Sequence, residues 1–304
     1  NNITWRIYED SKNNLWFATI RGLMFYNPAT RQHHWYEHKE GDESSPSASS
    51  CTDILAYSPG RYWVTTWGGG FDSFDTLTGV FKAFKADGSS NSIGTNNLSC
   101  VFEDLKGRLY IGSDGGGLLQ FDADNLTFKA YQHKADDPSS ISCDIVSSIK
   151  ESKSGIIWIC TLGGGINAFD PVTKKFRAFT TREGLCSNSV VSIAADENDN
   201  YWLGTLKGFS RFSAPGNPFD PGSTFSFRNY DINDGLPDNK INYSAAYKDT
   251  GGIIYFGSTD GGIIYFDPAQ LKDNDFLPPI YISDLKLFNA SIRPFYKDSI
   301  LKEP

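Results

Sequence analysis

Apolar residues along this chain fall into short runs that alternate with polar ones, four runs to a unit, and the unit recurs. The fullest copy reads Trp158-Ile-Cys-Thr-Leu-Gly-Gly-Gly-Ile-Asn-Ala-Phe-Asp170-Pro171. Its leading aromatic has counterparts at Trp16, Trp63, Tyr110, Trp202 and Tyr255, so the successive spacings along the chain are 47, 47, 48, 44 and 53. A period of that size belongs to propeller blades or solenoid turns. Upstream of each aromatic lies a half-buried strand pattern, as in Arg6–Asp10, Cys100–Asp104 and Ser192–Asp196, joined to it by a turn of Asp, Ser, Lys, Asn and Gly. After the aromatic strand a glycine cluster turns the chain again. A third strand then ends at Phe-Asp-Pro, where proline cannot continue a ladder. A fourth carries spaced aromatics, as in Phe81–Phe84, Phe128–Tyr131, Phe176–Phe179 and Phe225–Tyr230.

Four antiparallel strands per unit with no helical stretch between them predict an all-β fold, a β-propeller with six visible frames. The blades span roughly residues 1–50, 51–97, 98–143, 144–187, 188–240 and 241–275. The polar links between them, such as Lys39–Ser50 and His133–Ser142, are expected as surface loops. The last unit shows no fourth-strand aromatic pattern, so the ring is expected to close irregularly, with an open edge. After Pro278-Pro279 an alternating strand runs from Ile280 to Phe288. Residues 276–304 are expected to be the opening of a further domain cut short, or a C-terminal tail.

Repetition makes the 304 residues one domain rather than two. With a net charge of −8 and scattered basic residues, the chain offers no phosphate-backbone footprint, and nucleic acid is excluded as a partner. No apolar run approaches the roughly 18 residues of a spanning helix. Membrane contact is expected only through segments downstream of this sequence. The cysteines, Cys51, Cys100, Cys143, Cys160 and Cys186, form no CxxC pair and no zinc spacing. Cys160 stands where other copies place Ala18, Thr65, Gly112, Gly204 and Gly257, which marks it as a small buried residue.

Candidate chemistry is sparse. The clusters Gly68–Gly70, Gly115–Gly117 and Gly163–Gly165 lack the Lys-Ser/Thr and the helix of a phosphate loop, and they repeat with the blades, which assigns them to hairpin geometry. His34 and His38 lie with Tyr36 on one face of a strand, and neither cysteine nor acidic cluster completes a metal site there. No nucleophile elbow accompanies His133, and the paired carboxylates Asp42-Glu43 and Asp136-Asp137 lie in loops. No catalytic residue, metal or cofactor is expected. The informative positions are those that vary inside the frame, between second and third strands: Ile20-Arg21, Trp67, Asp114, Leu162, Leu206-Lys207 and Thr259-Asp260. Strand alternation puts these turns and the interblade loops on one face. An aromatic flanked by charged groups suits a sugar or another polar organic ligand, and the candidate contacts are Arg21, Trp67, Asp114, Lys207 and Asp260.

The frames, Trp/Tyr-x-small-Thr/Ser-x-Gly-Gly-Gly-x-x-x-Phe-Asp-Pro with Ile-x-Glu-Asp upstream and Phe-x-x-Tyr/Phe downstream, resemble the two-component regulator propeller repeats. Those repeats occur in the periplasmic sensor regions of Bacteroides-type hybrid histidine kinases. The resemblance covers roughly residues 1–270, and Leu277–Asn289 resembles the start of the tyrosine-rich β-sandwich that follows such propellers. It implies a seven-bladed parent ring and a non-catalytic, periplasmic domain. Such a domain would detect a carbohydrate or oligosaccharide and signal to a histidine kinase, as a homodimer in the full receptor. It supplies no fixed set of ligand residues. The alternatives from other classes are a propeller enzyme, a polysaccharide or lactone lyase or hydrolase, and a pure interaction scaffold.

Overall fold

The computed structural model describes residues 3–89 and 92–271, together with the short antiparallel pair Lys286–Leu287 and Ala290–Ser291. Two compact units are present, 1–268 and 269–304. Most of the expected strand Ile280–Phe288 lies outside the described residues.

The first unit is a β-propeller. Its first blade comprises Thr4–Glu9, Leu15–Thr19, Gly22–Asn27 and Gln32–Tyr36, hydrogen-bonded in that order and antiparallel throughout. Four further blades repeat the arrangement, and the sixth has three strands among the described residues. The innermost strands of the other blades are Ser50–Ser58, Leu98–Glu103, Val146–Glu151, Val190–Ala195 and Ile241–Lys248. Each touches the next around the axis, and the last touches Thr4–Glu9. The single described helical element is one 3-10 turn, Ile232–Asp234.

The frame aromatics are the wedges between blades. Trp16, Trp63, Tyr110, Trp158 and Trp202 are buried, and Tyr255 is half-buried. An Asp directly after the upstream strand, present in four of the six blades as Asp10, Asp104, Asp196 and Asp249, explains how the first turn is fixed there. Asp10 accepts the backbone N–H groups of Lys12 and Asn14 through one oxygen and the Trp16 indole N–H, at 3.2 Å, through the other. Asp196 does the same for Asn198, Asn200 and Trp202. In the sixth blade the Tyr255 hydroxyl donates to Asp249. One carboxylate thus closes the hairpin and satisfies the polar edge of a buried ring.

Five apolar cores each join one blade to the next, from the first pair, with Trp16 against Tyr62 and Phe74, to the last, with Trp202 against Ile254 and Phe256. No such core joins the sixth blade to the first among the described residues. Ile7 is 57% exposed, whereas its register equivalents Ile54, Val101, Ile149 and Ile193 are 1–8% exposed. Across the seam Tyr247, Ile263 and Tyr265 are also exposed. Among the described residues the ring is therefore closed at its axis and open at its rim.

The interblade links are less superficial than the sequence reading held. Ile93, Ile141 and Leu185 plug them into the cores, fully or almost fully buried. Their backbones are held by third-strand side chains: Ser47 N–H donates to Asp72, Ser142 N–H to Asn167 and Cys186 N–H to Ser210. Asn167 also donates back to the Ser142 hydroxyl. Asp72 cannot, and its second oxygen is buried without a partner. Burial pushes its carboxyl up from 3.8 to about 6, against the opposing pull of the Ser47 N–H.

A raised carboxyl means that the folded chain holds this proton while the unfolded chain releases it, so stability falls as pH rises from about 4 to about 6 and stays lower above. Asp72→Asn, which copies Asn167, should melt close to the native chain near pH 4 and several degrees above it at pH 8, at about 2–4 °C per kcal/mol. Thermal melts across that range check this. An Asn variant less stable by the same margin at both ends would refute it.

Candidate functional site

The mouth of the propeller is built from backbone bonds. The N–H groups of Gly68 and Gly70 both donate to the Asn96 carbonyl, those of Gly115 and Gly117 to Asp144, and those of Gly163 and Gly165 to Asn188. The carbonyl one residue farther along then accepts from the turn of the next blade: Asn97 from Asp114, Ile145 from Leu162, Ser189 from Leu206 and Lys240 from Thr259. Each interblade link thus bonds two neighbouring turns, and the expectation that turns and links share one face holds. The last glycine of each cluster has a positive φ, 77° at Gly165, and a Cβ there would overlap the Phe179 carbonyl oxygen. No other residue type fits.

Inside this rim every innermost strand carries a β-bulge. Its register slips at Trp5, Thr52, Ser99, Ser147 and Val191, each opposite the stretch just before the glycine turn. A bulge re-aims its extra residue. Here that places Trp5, Thr52, Ser99 and Ser147 around an axial cavity of about 310 Å³. The hydroxyls then tie each inner strand to its neighbour. Thr52 donates to the Leu98 carbonyl at 2.9 Å, Ser99 to Val146 at 2.6 Å and Ser147 to Val190 at 2.6 Å.

The sixth blade breaks the pattern. Its bulge is wider, spanning Asn242–Ala245 between the paired residues Ile241 and Ala246, with Ser244 at φ 51°. Tyr243 and Ser244 project into the cavity, and the Ser244 hydroxyl crosses to the Ser147 carbonyl of the fourth blade at 3.2 Å. At the mouth the cavity is lined by Trp67, Asp114 and Leu162. Trp67 is 47% exposed. Asp114 is the one charged side chain of the lining, and its carboxylate has no hydrogen-bond or ion-pair partner among the described residues.

Of the five residues singled out from sequence, Trp67 and Asp114 line the cavity and Arg21, Lys207 and Asp260 do not. Arg21 is engaged elsewhere, paired with Glu37 at 2.6 Å and lying over the Trp35 ring. The backbone N–H groups of Arg21 and Lys207 donate to Thr19 and Thr205, and that of Asp260 to Ser258. Each of these three stands five positions after its frame aromatic, whereas the axial backbone bond is made four positions after it, by Ile20, Leu206 or Thr259. The bulge residues were missed from sequence because the extra residue occurs in every copy and leaves the period unchanged. The sixth blade did carry a signal: Tyr255 follows Ile241 by 14 positions, whereas Trp63 follows Cys51 by 12.

Farther along the inner strands the channel holds charge. Arg6 faces Asp53 at 3.4 Å, and burial raises the Asp53 carboxyl. Lys150 is lowered by burial and by the nearby Arg6 and Lys248, the latter paired with Glu197. Two histidines serve the links instead of the channel. The Nδ1–H of His38 donates to the Pro46 carbonyl and that of His133 to Ile141. Cys51, Cys100 and Cys160 are free and fully buried, and burial raises their thiols.

Comparison with known proteins follows the same lines. The two-component regulator propeller family matches at residues 1–21 and 184–207. Over 239 residues the chain is 25% identical to histidine kinase P4 of Formosa agariphila, which covers 76% of this chain and 16% of the kinase. The extracellular domain of a one-component system from B. thetaiotaomicron superposes with a TM-score of 0.68 at 21% identity, covering 89% of this chain and 35% of that one. That of a hybrid two-component system from the same organism gives 0.59 at 17%, covering 89% and 42%. The structural likeness carries the fold, and the chain spans well under half the length of each of these relatives. No described helix is long and apolar enough to cross a membrane.

Removing one axial hydroxyl tests the tie between inner strands. Ser147→Ala should lower unfolding stability by about 1 kcal/mol, the usual net worth of such a bond, read as an earlier urea midpoint at unchanged slope. An unchanged midpoint would show that the bond does not hold the strands together.

Proposed function

We propose that this chain, which matches the two-component regulator propeller family at residues 1–21 and 184–207, is the extracytoplasmic, periplasmic ligand-sensing domain of a hybrid two-component system. In this reading it detects a saccharide at its axial mouth and passes the signal to a histidine kinase as part of a homodimeric receptor. The observation that carries the reading is the axial cavity with Trp67 half-exposed at its entrance, on a rim whose turns are bonded to one another. A rigid wall with one accessible aromatic is the arrangement that stacks a sugar ring at low entropic cost. The volume, about 310 Å³, sits at the low end of small-molecule sites, with room for a single pyranose. Arg21, Lys207 and Asp260 stand on the turns around the same face and would meet the remaining units of a longer chain. The domain turns over no substrate in this reading, since its cavity presents Asp114 as its one carboxylate and no histidine or cysteine beside it.

A calorimetric screen against polysaccharide digests, run on native and Trp67→Ala protein, tests this. The native domain should bind a saccharide without releasing product, and the variant should bind it about 1–3 kcal/mol more weakly at unchanged melting temperature. Equal affinity would remove Trp67 from the site. Cleavage of the glycan would move the domain among the propeller enzymes.

A further inference from the structure

The axial cavity has a chemical polarity that its residue types alone do not reveal. Four side-chain hydroxyls reach its wall, and each proton is already committed within the fold: Thr52 to the Leu98 carbonyl or the Thr65 hydroxyl, Ser99 to the Val146 carbonyl, Ser147 to that of Val190 and Ser244 to that of Ser147. A hydroxyl has one proton to give but two lone pairs to offer. What these groups present to the cavity is therefore acceptor oxygen. Asp114 adds an unpaired carboxylate, and no cationic side chain lines the space. The remaining polar atoms are the Tyr243 phenol, which can act either way, and the Trp5 indole N–H, enclosed without a partner. The rest of the wall is Ile145, Val146, Leu162 and the faces of Trp67 and Tyr243.

A neutral polyol would find few donors here, and a carboxylated or sulfated sugar would set its charge against Asp114 in an apolar enclosure, where such repulsion is poorly screened. A compact cation with an apolar face is complementary on every count. Its ammonium protons meet Asp114 and the hydroxyl oxygens, its charge lies against aromatic faces, and one acceptor atom satisfies Trp5. We propose that the axial cavity is specific for a small organic ammonium compound, and that within the sugar-sensing reading, on which this assignment rests, the recognised unit is an amino sugar with a free amine. Asp114 is its charge-reading residue and Trp67 its stacking platform.

Titration calorimetry at about pH 6.5, where such an amine is protonated, tests this with glucosamine, N-acetylglucosamine, glucose, glucuronate and phenethylamine as probes. Glucosamine should bind at least about tenfold more tightly than the three sugars without a free amine. Asp114→Asn should abolish that preference at unchanged melting temperature, and Asp114→Glu should restore part of it. Glucuronate or N-acetylglucosamine binding as well as glucosamine would overturn the proposal. So would glucosamine affinity unchanged in Asp114→Asn, or no binding of either amine at millimolar concentration. Phenethylamine binding through Asp114 while no sugar binds would leave the cation site standing and remove the saccharide reading. Neutral sugars binding through Trp67 with no preference for the amine would do the reverse.

Discussion

One carbonyl oxygen accepting two glycine N–H groups is the constraint on which the mouth of this propeller depends. The Asp144 carbonyl, held by Gly115 and Gly117, cannot move without breaking both bonds, and the Ile145 carbonyl beside it holds Leu162 of the next blade. The side chain of the varying residue takes no part in this rim; the frame Thr or Ser just before it bonds the last glycine of the turn instead. That is why the turn between second and third strands can carry Trp67 in one blade, Asp114 in the next and Leu162 in the third without altering the backbone beneath. Identity is free to vary where geometry is fixed by groups that every residue has, and a binding face needs that combination.

The walls of the channel follow another logic. A β-bulge at the same register of successive inner strands aims small hydroxyl residues at the axis, and these residues spend their protons on holding neighbouring strands together. Structure and selectivity thus draw on the same atoms. Using the hydroxyl protons for the ring leaves those oxygens to face the cavity as acceptors, so the discrimination attributed to Asp114 begins with how the fold satisfies itself.

Much of this was legible in the sequence, for reasons that can be named. The frame aromatics announce blades because a large ring must be buried at the same place in each unit, and the glycine clusters announce hairpins because only glycine leaves room for the outer-strand carbonyl. The shared face of turns and links follows from strand direction alone. The bulges were not legible, since an insertion present in every unit leaves the period intact. Trp67 and Asp114 differ from Arg21, Lys207 and Asp260 in spacing, four positions after the frame aromatic against five. That difference has no visible meaning until the backbone bonds of Ile20, Leu206 and Thr259 show that the axial place is the fourth after the aromatic. Asp72 was equally silent: its burial comes from the link folded over it, which the strand pattern does not describe.

The bond from Ser244 to the Ser147 carbonyl joins the sixth blade to the fourth, which are not neighbours in the chain or in the ring. A stack of repeats that touch only their neighbours behaves as a line of coupled units, and damage spreads stepwise from an end. Among the described residues the sixth blade is both the three-stranded one and the one flanked by the coreless seam. A chord across the middle changes the graph. Fraying that begins at the seam reaches the fourth blade directly, and a molecule lodged in the cavity lies against both ends of the chord. The sixth blade and the centre of the ring therefore report to each other without passing through the fifth.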